Sequence, residues 1–190
     1  RDEKSVDLVL NITERNRIYV GRVQLEKPRY ADDDEPSRFR RWYGGFAPPV
    51  KDEVILREVL LEPGEIYNRS LERDSLRRLA RLGVFDSESL EIRPKPTQDP
   101  DIYDAVVSVE ETVTGRIGGG VGYGDMFGAY VYGTFNERNV GGEADVLRAT
   151  VQVGTRIAGG SISYLNRYLG DTRDSLASRL FYEYQMRPGY

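Results

Sequence analysis

The sequence predicts an α+β domain followed by a run of antiparallel β-strands. Three observations carry that reading. Helical periodicity appears twice between residues 50 and 82, and predicted helix disappears after Gly115. Period-two alternation of apolar and polar residues flanks those helices and then fills the chain beyond Gly115. Most of the 20 glycines and 13 tyrosines fall in that second part.

The first strand signal is Val6 to Ile12, half-buried by its alternation, and Glu14-Arg15-Asn16 makes a turn after it. A second strand runs from Ile18 to Leu25. Residues 27–49 read as a long loop or insertion. They hold an acidic run, Asp32-Asp33-Asp34-Glu35, a basic-aromatic run, Arg38-Phe39-Arg40-Arg41-Trp42, then Gly44-Gly45 and Pro48-Pro49. The acidic run lacks the 12-residue calcium-loop pattern and its closing Glu, so it reads as solvated loop. The basic-aromatic run suits either a lipid headgroup or partner contact, or a solvated loop with one packed Trp.

Val50 to Leu61 has helical spacing, with Val54, Ile55, Val59 and Leu60 on one stripe and Asp52 and Glu53 at the positive end of the dipole. Pro63-Gly64 stops it. A second helix spans about Asn68 to Leu82. Leu71, Leu76, Leu79 and Leu82 form its buried face, Asn68 or Ser70 caps its start, and Gly83 sits where a left-handed cap is wanted. Two strands follow, Ser89 to Arg93 and Tyr103 to Glu111, with Pro94, Pro96 and Pro100 between them. The order strand, loop, helix, helix, strand, strand is a compact unit, and Val6 to Ile12 would close a preceding unit of the same kind.

Beyond Gly115, Gly118, Gly120, Gly122 and Gly124 alternate with Ile117, Val121 and Tyr123. Neither a G-x-G-x-x-G spacing nor a P-loop lysine is present. Alternating glycine describes a strand with one bare face, which packs poorly and should be weakly held. Residues 146–155, 158–164 and 175–185 alternate as well. Strands of about ten residues with one apolar face fit a membrane barrel. A soluble β-sandwich with one solvated face gives the same pattern.

Composition narrows the function classes. The chain has no His and no Cys, which excludes His-dependent triads, the usual zinc, haem and iron–sulfur sites, and disulfides. A net charge of -4 argues against a general nucleic-acid partner. No window reaches the roughly 20 continuous apolar residues of a membrane helix, a test to which a barrel is blind. Paired carboxylates remain at Asp101 with Asp104 and at Glu110 with Glu111. Neighbours on a strand point to opposite faces, so the second pair cannot share a site. The expectation is a non-enzyme with no catalytic residues, no metal and no cofactor.

The segments Lys51-Asp52-Glu53-Val54-Ile55-Leu56-Arg57-Glu58, Pro63-Gly64-Glu65-Ile66-Tyr67-Asn68 and Leu76-Arg77-Arg78-Leu79-Ala80-Arg81-Leu82-Gly83-Val84-Phe85 resemble a POTRA domain. Val107-Ser108-Val109-Glu110-Glu111, the glycine strand ending in Gly122-Tyr123-Gly124, Phe135-Asn136-Glu137-Arg138-Asn139-Val140-Gly141-Gly142, Tyr168-Leu169 and Leu180-Phe181-Tyr182 follow in order. That order resembles the junction between the last POTRA domain and the barrel in BamA-like outer-membrane assembly factors. The insertion at residues 27–49 departs from the pattern.

The resemblance implies three parts: the end of a preceding POTRA domain (1–16), a POTRA domain (17–113) and the first strands, about five, of a transmembrane β-barrel (114–190). About 75 residues follow Gly115, room for roughly five strands, whereas a barrel needs at least about eight. The expectation is therefore an incomplete barrel within a longer protein that also carries the family's Arg-Gly-Phe loop element. The implied location is the bacterial outer membrane, with the POTRA domain in the periplasm. The implied role is assembly of outer-membrane β-barrel proteins. The implied partners are nascent barrel proteins, accessory assembly lipoproteins and outer-membrane lipid. The alternative is a two-partner-secretion-type or translocation-and-assembly-type transport pore.

Three candidate sites follow. The POTRA edge at Ser89, Leu90, Glu91, Ile92 and Arg93 either binds clients by strand addition or is a charged, protected edge. The first barrel strand, at Gly118, Gly119, Gly120, Val121 and Gly122, forms a weak lateral seam. Arg148, Gln152, Arg179 and Glu183 face the lumen.

Overall fold

A computed structural model describes residues 17–27, 46–170 and 172–186. The strand expected at Val6 to Ile12 and most of the 27–49 insertion lie outside these residues. The described elements are β1 (Tyr19–Glu26), α1 (Asp52–Arg57), α2 (Arg69–Leu82), β2 (Glu91–Pro96), β3 (Ile102–Ser108), β4 (Arg116–Gly124), β5 (Gly128–Val140), β6 (Asp145–Gly154), β7 (Ile157–Asn166) and β8 (Leu176–Gln185). They build two sheets, one in the order β1-β3-β2 and one in the order β4-β5-β6-β7-β8.

In the first sheet β3 is central, parallel to β1 and antiparallel to β2. The two helices cover one face. Val54, Ile55, Leu79 and Leu82 join Val20, Ile92, Ala105 and Val107 in one buried cluster. Helix α2 is set by its ends: the Asn68 Oδ1 accepts from the Ser70 N–H at 2.8 Å, and Gly83 closes it at φ 68°. Helix α1 is shorter than its apolar stripe suggests, because residues 58–61 leave the helix. The Leu60 N–H instead donates to the buried Ser75 Oγ at 2.8 Å, and that hydroxyl donates to the Leu71 carbonyl at 2.7 Å.

Strand β2 lies later than expected. The Ser89 N–H and Oγ both donate to the Asp86 carbonyl, at 3.3 and 2.9 Å, which holds that residue in a turn. Pro94 and Pro96, expected in a loop, lie in the strand, which an edge position allows. Asp104 is a structural residue. It accepts from the Arg22 N–H at 2.7 Å and the Gln24 Nε2 at 2.9 Å, where a register shift interrupts β1.

The second sheet is antiparallel throughout and open. Its register collects side chains into rows. Ile117, Phe135, Ala149, Ile162 and Leu180 form one row, and Val121, Val131, Val153, Ala158 and Tyr184 another. These rows share the apolar face, where Ile117, Val121 and Leu180 are 76, 81 and 76% exposed. A sandwich would cover that face with another sheet, and none of the described residues does so. Strands of 9 to 13 residues match the thickness of a bilayer's hydrocarbon core when tilted.

Leu79 is fully buried at the centre of the helix–sheet core. Leu79→Ala is expected to destabilise the α+β domain by about 2–5 kcal/mol, and the exposed Arg73→Ala by less than about 0.5 kcal/mol. Denaturant unfolding followed by circular dichroism measures both.

Candidate functional site

Of the five residues expected on the first sheet's free edge, Glu91, Ile92 and Arg93 lie in β2, and Ser89 and Leu90 lie in the preceding turn. Arg93 forms ion pairs with Glu26 at 3.1 Å and Glu91 at 3.5 Å, which places charge along this edge. Alternate N–H groups of an edge strand point away from the sheet. With Pro94 and Pro96 on that outward side, Ile92 shares their parity and supplies the outward N–H of β2. The opposite edge is partly closed: the Val20 N–H donates to the Glu65 carbonyl at 2.8 Å, and the Gly64 N–H to the Val20 carbonyl at 2.8 Å.

Gly118, Gly119, Gly120, Val121 and Gly122 all lie in β4, an edge strand of the second sheet. The bare face expected there is filled. A Cβ on Gly120 would meet the Tyr132 ring at 3.0 Å, and one on Gly122 would meet the Tyr130 ring at 2.5 Å. The two tyrosines of β5 thus lie over the glycines of β4. This arrangement supports the pairing rather than weakening it. It corrects the expectation of a weakly held strand on the β5 side. The other side of β4 has no partner strand among the described residues.

Arg148, Gln152, Arg179 and Glu183 share one face of this sheet. Arg148 and Arg179 lie in a row with Ser163 between them, and Gln152 and Glu183 in a row with Gly159 between them. The face is polar. The Arg148 Nε donates to the Asn136 Oδ1 at 3.1 Å, and Thr150 and Ser161 exchange a hydroxyl hydrogen bond at 2.9 Å. A groove of about 400 Å³ on it includes Gln152, Arg179 and Glu183.

A fourth feature, the joint between the sheets, had no role assigned from sequence. The segment Glu137 to Asp145 ends β5 and turns into β6. The fully buried Glu137 accepts from the Arg138 and Asn139 N–H groups at 2.8 and 2.7 Å. Asn139 then spans the joint, its Nδ2 donating to the Pro48 carbonyl at 2.6 Å and its Oδ1 accepting from Ala144 N–H at 3.2 Å. The Lys51 N–H donates to the Gly142 carbonyl at 3.0 Å, and Lys51 pairs with Glu143. Gly142 has φ 77°, and a Cβ there would lie 2.7 Å from the Pro49 carbonyl oxygen, so only glycine fits. Ala144, fully buried at φ 57°, packs into the core of the α+β domain. Arg167, just past β7, donates to the Ala144 carbonyl at 2.7 Å and the Leu82 carbonyl at 3.2 Å. Arg57 stacks over Tyr168 at 4.7 Å. The polar residues of Phe135-Asn136-Glu137-Arg138-Asn139 were the available signal, because polar groups at a strand end before paired glycines suit a specified turn. No cluster of acidic residues among the described ones could hold a metal ion.

Glu58 lies beside this joint, 5% exposed, and burial pushes its carboxyl above the ordinary glutamate value despite nearby arginines. A raised folded-state value contributes stability that is complete below the unfolded value, about pH 4.5, and lost as pH rises through the folded one. Glu58→Gln is expected to remove that loss and stabilise the domain at pH 7 relative to the parent. Unfolding midpoints at pH 4 and pH 7 measure it. Gly122→Val is expected to displace the Tyr130 ring and lower the unfolding temperature of the second sheet, and Tyr130→Ala in the same chain to restore part of it. Thermal unfolding in detergent reads both.

The POTRA family model, described as "Surface antigen variable number repeat", matches residues 44–112. A BamA of Neorickettsia risticii is 31% identical over 192 residues, covering 95% of this chain and 25% of that protein. A BamA of Nitratidesulfovibrio vulgaris is 30% identical over 142 residues, covering 75% of this chain and 15% of its own. A putative outer membrane protein assembly factor of Treponema pallidum is 27% identical, covering 87% of this chain and 18% of its own. The chain thus spans a quarter or less of these relatives' length. The crystal structure of BamA from Haemophilus ducreyi lacking POTRA domains 1-3 shares the fold, with TM-score 0.66 and 24% identity over 89% of this chain and 28% of that one. The α+β unit, the barrel-like open sheet and these relatives together identify the chain as a BamA-like outer-membrane protein, a periplasmic POTRA domain joined to part of a β-barrel.

Proposed function

We propose that this protein assembles β-barrel proteins into the outer membrane without covalent chemistry. The carrying observation is the asymmetry of β4. One edge is held by the nine registered pairs with β5 and the tyrosines over its glycines, and the other edge has no described partner. In lipid an unpaired edge is intolerable, so the barrel closes with a further strand against β4. On that closing side the glycines offer few side-chain contacts to reinforce the seam. A client strand can replace the closing strand by forming the same backbone hydrogen bonds. The curated relatives, named as outer-membrane protein assembly factors, support this role.

The POTRA edge gives a second, weaker contact. Ile92 supplies the outward donor of β2, so a guest strand gains a short register there before the prolines end it. Arg148, Gln152, Arg179 and Glu183 line the water-filled interior. The partners are nascent barrel proteins, accessory assembly lipoproteins and the surrounding lipid.

The test is a disulfide between a cysteine at Val121, which is exposed on β4, and one on the strand that closes the barrel against β4. Locking the seam is expected to stop client assembly in membranes, and reduction to restore it. Undiminished assembly with the seam locked would overturn lateral opening. Ile92→Pro removes the last outward donor of β2 and is expected to lower client crosslinking to the POTRA domain severalfold. Because Ile92 is buried in the POTRA core, Ile92→Val, which trims the same packing and keeps the donor, is expected to leave crosslinking unchanged.

A further inference from the structure

A cavity of about 290 Å³ opens at the joint, between the POTRA helices and the turn from β7 to β8. Five arginines line it, Arg57, Arg78, Arg81, Arg167 and Arg173, together with Glu58. Arg57 and Arg167 are engaged, through Tyr168 and through two backbone carbonyls. Arg78, Arg81 and Arg173 form no ion pair among the described residues. Glu58 lies in their field but forms no ion pair with them among the described residues, and its buried Oε1 has no hydrogen-bond partner. Five guanidiniums around one buried carboxyl leave a concentrated positive potential with unfilled donors. Forked donors of this kind match phosphate oxygens.

The position says what brings the phosphate. The turn lies just past the end of β7 and just before the start of β8, on the POTRA side of the sheet. If the apolar faces of these strands sit in hydrocarbon, residues immediately beyond them lie at headgroup level. The turn carries Tyr168 and Leu169, the latter 53% exposed, and an aromatic beside an exposed aliphatic suits that level.

We infer that this pocket binds the phosphate of an anionic phospholipid headgroup in the periplasmic leaflet, fastening the POTRA joint to the membrane surface. The inference rests on the membrane placement of the sheet. Arg78 and Arg81, on the last turns of α2, are the principal donors, Arg81 through the terminal N–H groups left by its Nε bond to the Arg77 carbonyl at 3.3 Å, and Tyr168 with Leu169 seats the acyl-glycerol end.

The test uses the intact protein reconstituted in phosphatidylcholine vesicles containing spin-labelled phosphatidylglycerol or spin-labelled phosphatidylcholine. The parent is expected to prefer phosphatidylglycerol. The double variant Arg78→Gln, Arg81→Gln is expected to reduce that preference about tenfold or more, as two lost charge-assisted hydrogen bonds imply. Arg73→Gln with Arg77→Gln, on the same helix but outside the pocket, is expected to leave it unchanged. An unchanged preference in the pocket variant, or an equal loss in the control, would overturn the site. Displacement of the labelled lipid by millimolar inorganic phosphate would assign the pocket to a free anion instead and overturn the lipid. Displacement by an acidic peptide would assign it to a protein partner. Membrane fractionation of the same samples separates the two readings: a protein that inserts without any lipid preference overturns this site alone.

Discussion

Water is absent from the hydrocarbon core, so every strand N–H and C=O placed there needs a protein partner. The second half of this molecule is organised by that constraint. Five antiparallel strands, with a register shift between Glu137 and Val140 at the joint, satisfy one another's backbone groups. The period of two then sends alternate side chains to opposite environments without further instruction. Apolar rows through Ile117 and Val121 face one way, and polar rows through Arg148 and Gln152 face the other. What the described strands leave unsatisfied is the pair of outer edges on β4 and β8, and the proposed function lies at the first of these.

The same constraint explains the joint. A sheet that ends at the membrane surface has to hand its last backbone groups to a folded domain or to water. Here the Gly142 carbonyl is handed to the Lys51 N–H of the POTRA domain, and the Asn139 and Arg167 side chains donate across the joint to the Pro48 and Leu82 carbonyls. Loss of such a partner from a buried group costs about 1–3 kcal/mol. Several such contacts, with Ala144 set into the POTRA core, make the turn between β5 and β6 a fixed bearing. The arginine pocket sits against that bearing, so a lipid bound there would act on the orientation of the whole domain.

The sequence displayed the architecture well where a single physical rule governs a segment. Asn68 and Gly83 bound α2 because a side-chain cap and a left-handed residue are local needs. The alternation after Gly115 gave strands for the same reason. The failures came where a distant partner decides. Helix α1 stops early because Ser75, 15 residues on, takes the Leu60 N–H. Strand β2 moves onto the prolines because it is an edge. The glycines of β4 read as bare because the Tyr130 and Tyr132 rings that cover them come from the next strand, in a register no local pattern specifies. The polar run before the paired glycines signalled a specified turn but not the joint, whose meaning lies in contacts across 55 and 91 residues, Arg138 to Gly83 and Asn139 to Pro48.

The placement of the second sheet's two faces is the claim on which the rest stands. The chain contains no cysteine, so single cysteines can be placed cleanly at positions 150 to 153 of β6. In intact membranes, a membrane-impermeant maleimide given access to the barrel interior should label the Thr150→Cys and Gln152→Cys proteins and spare Val151→Cys and Val153→Cys. Equal labelling at all four positions would contradict a sheet with one face in lipid.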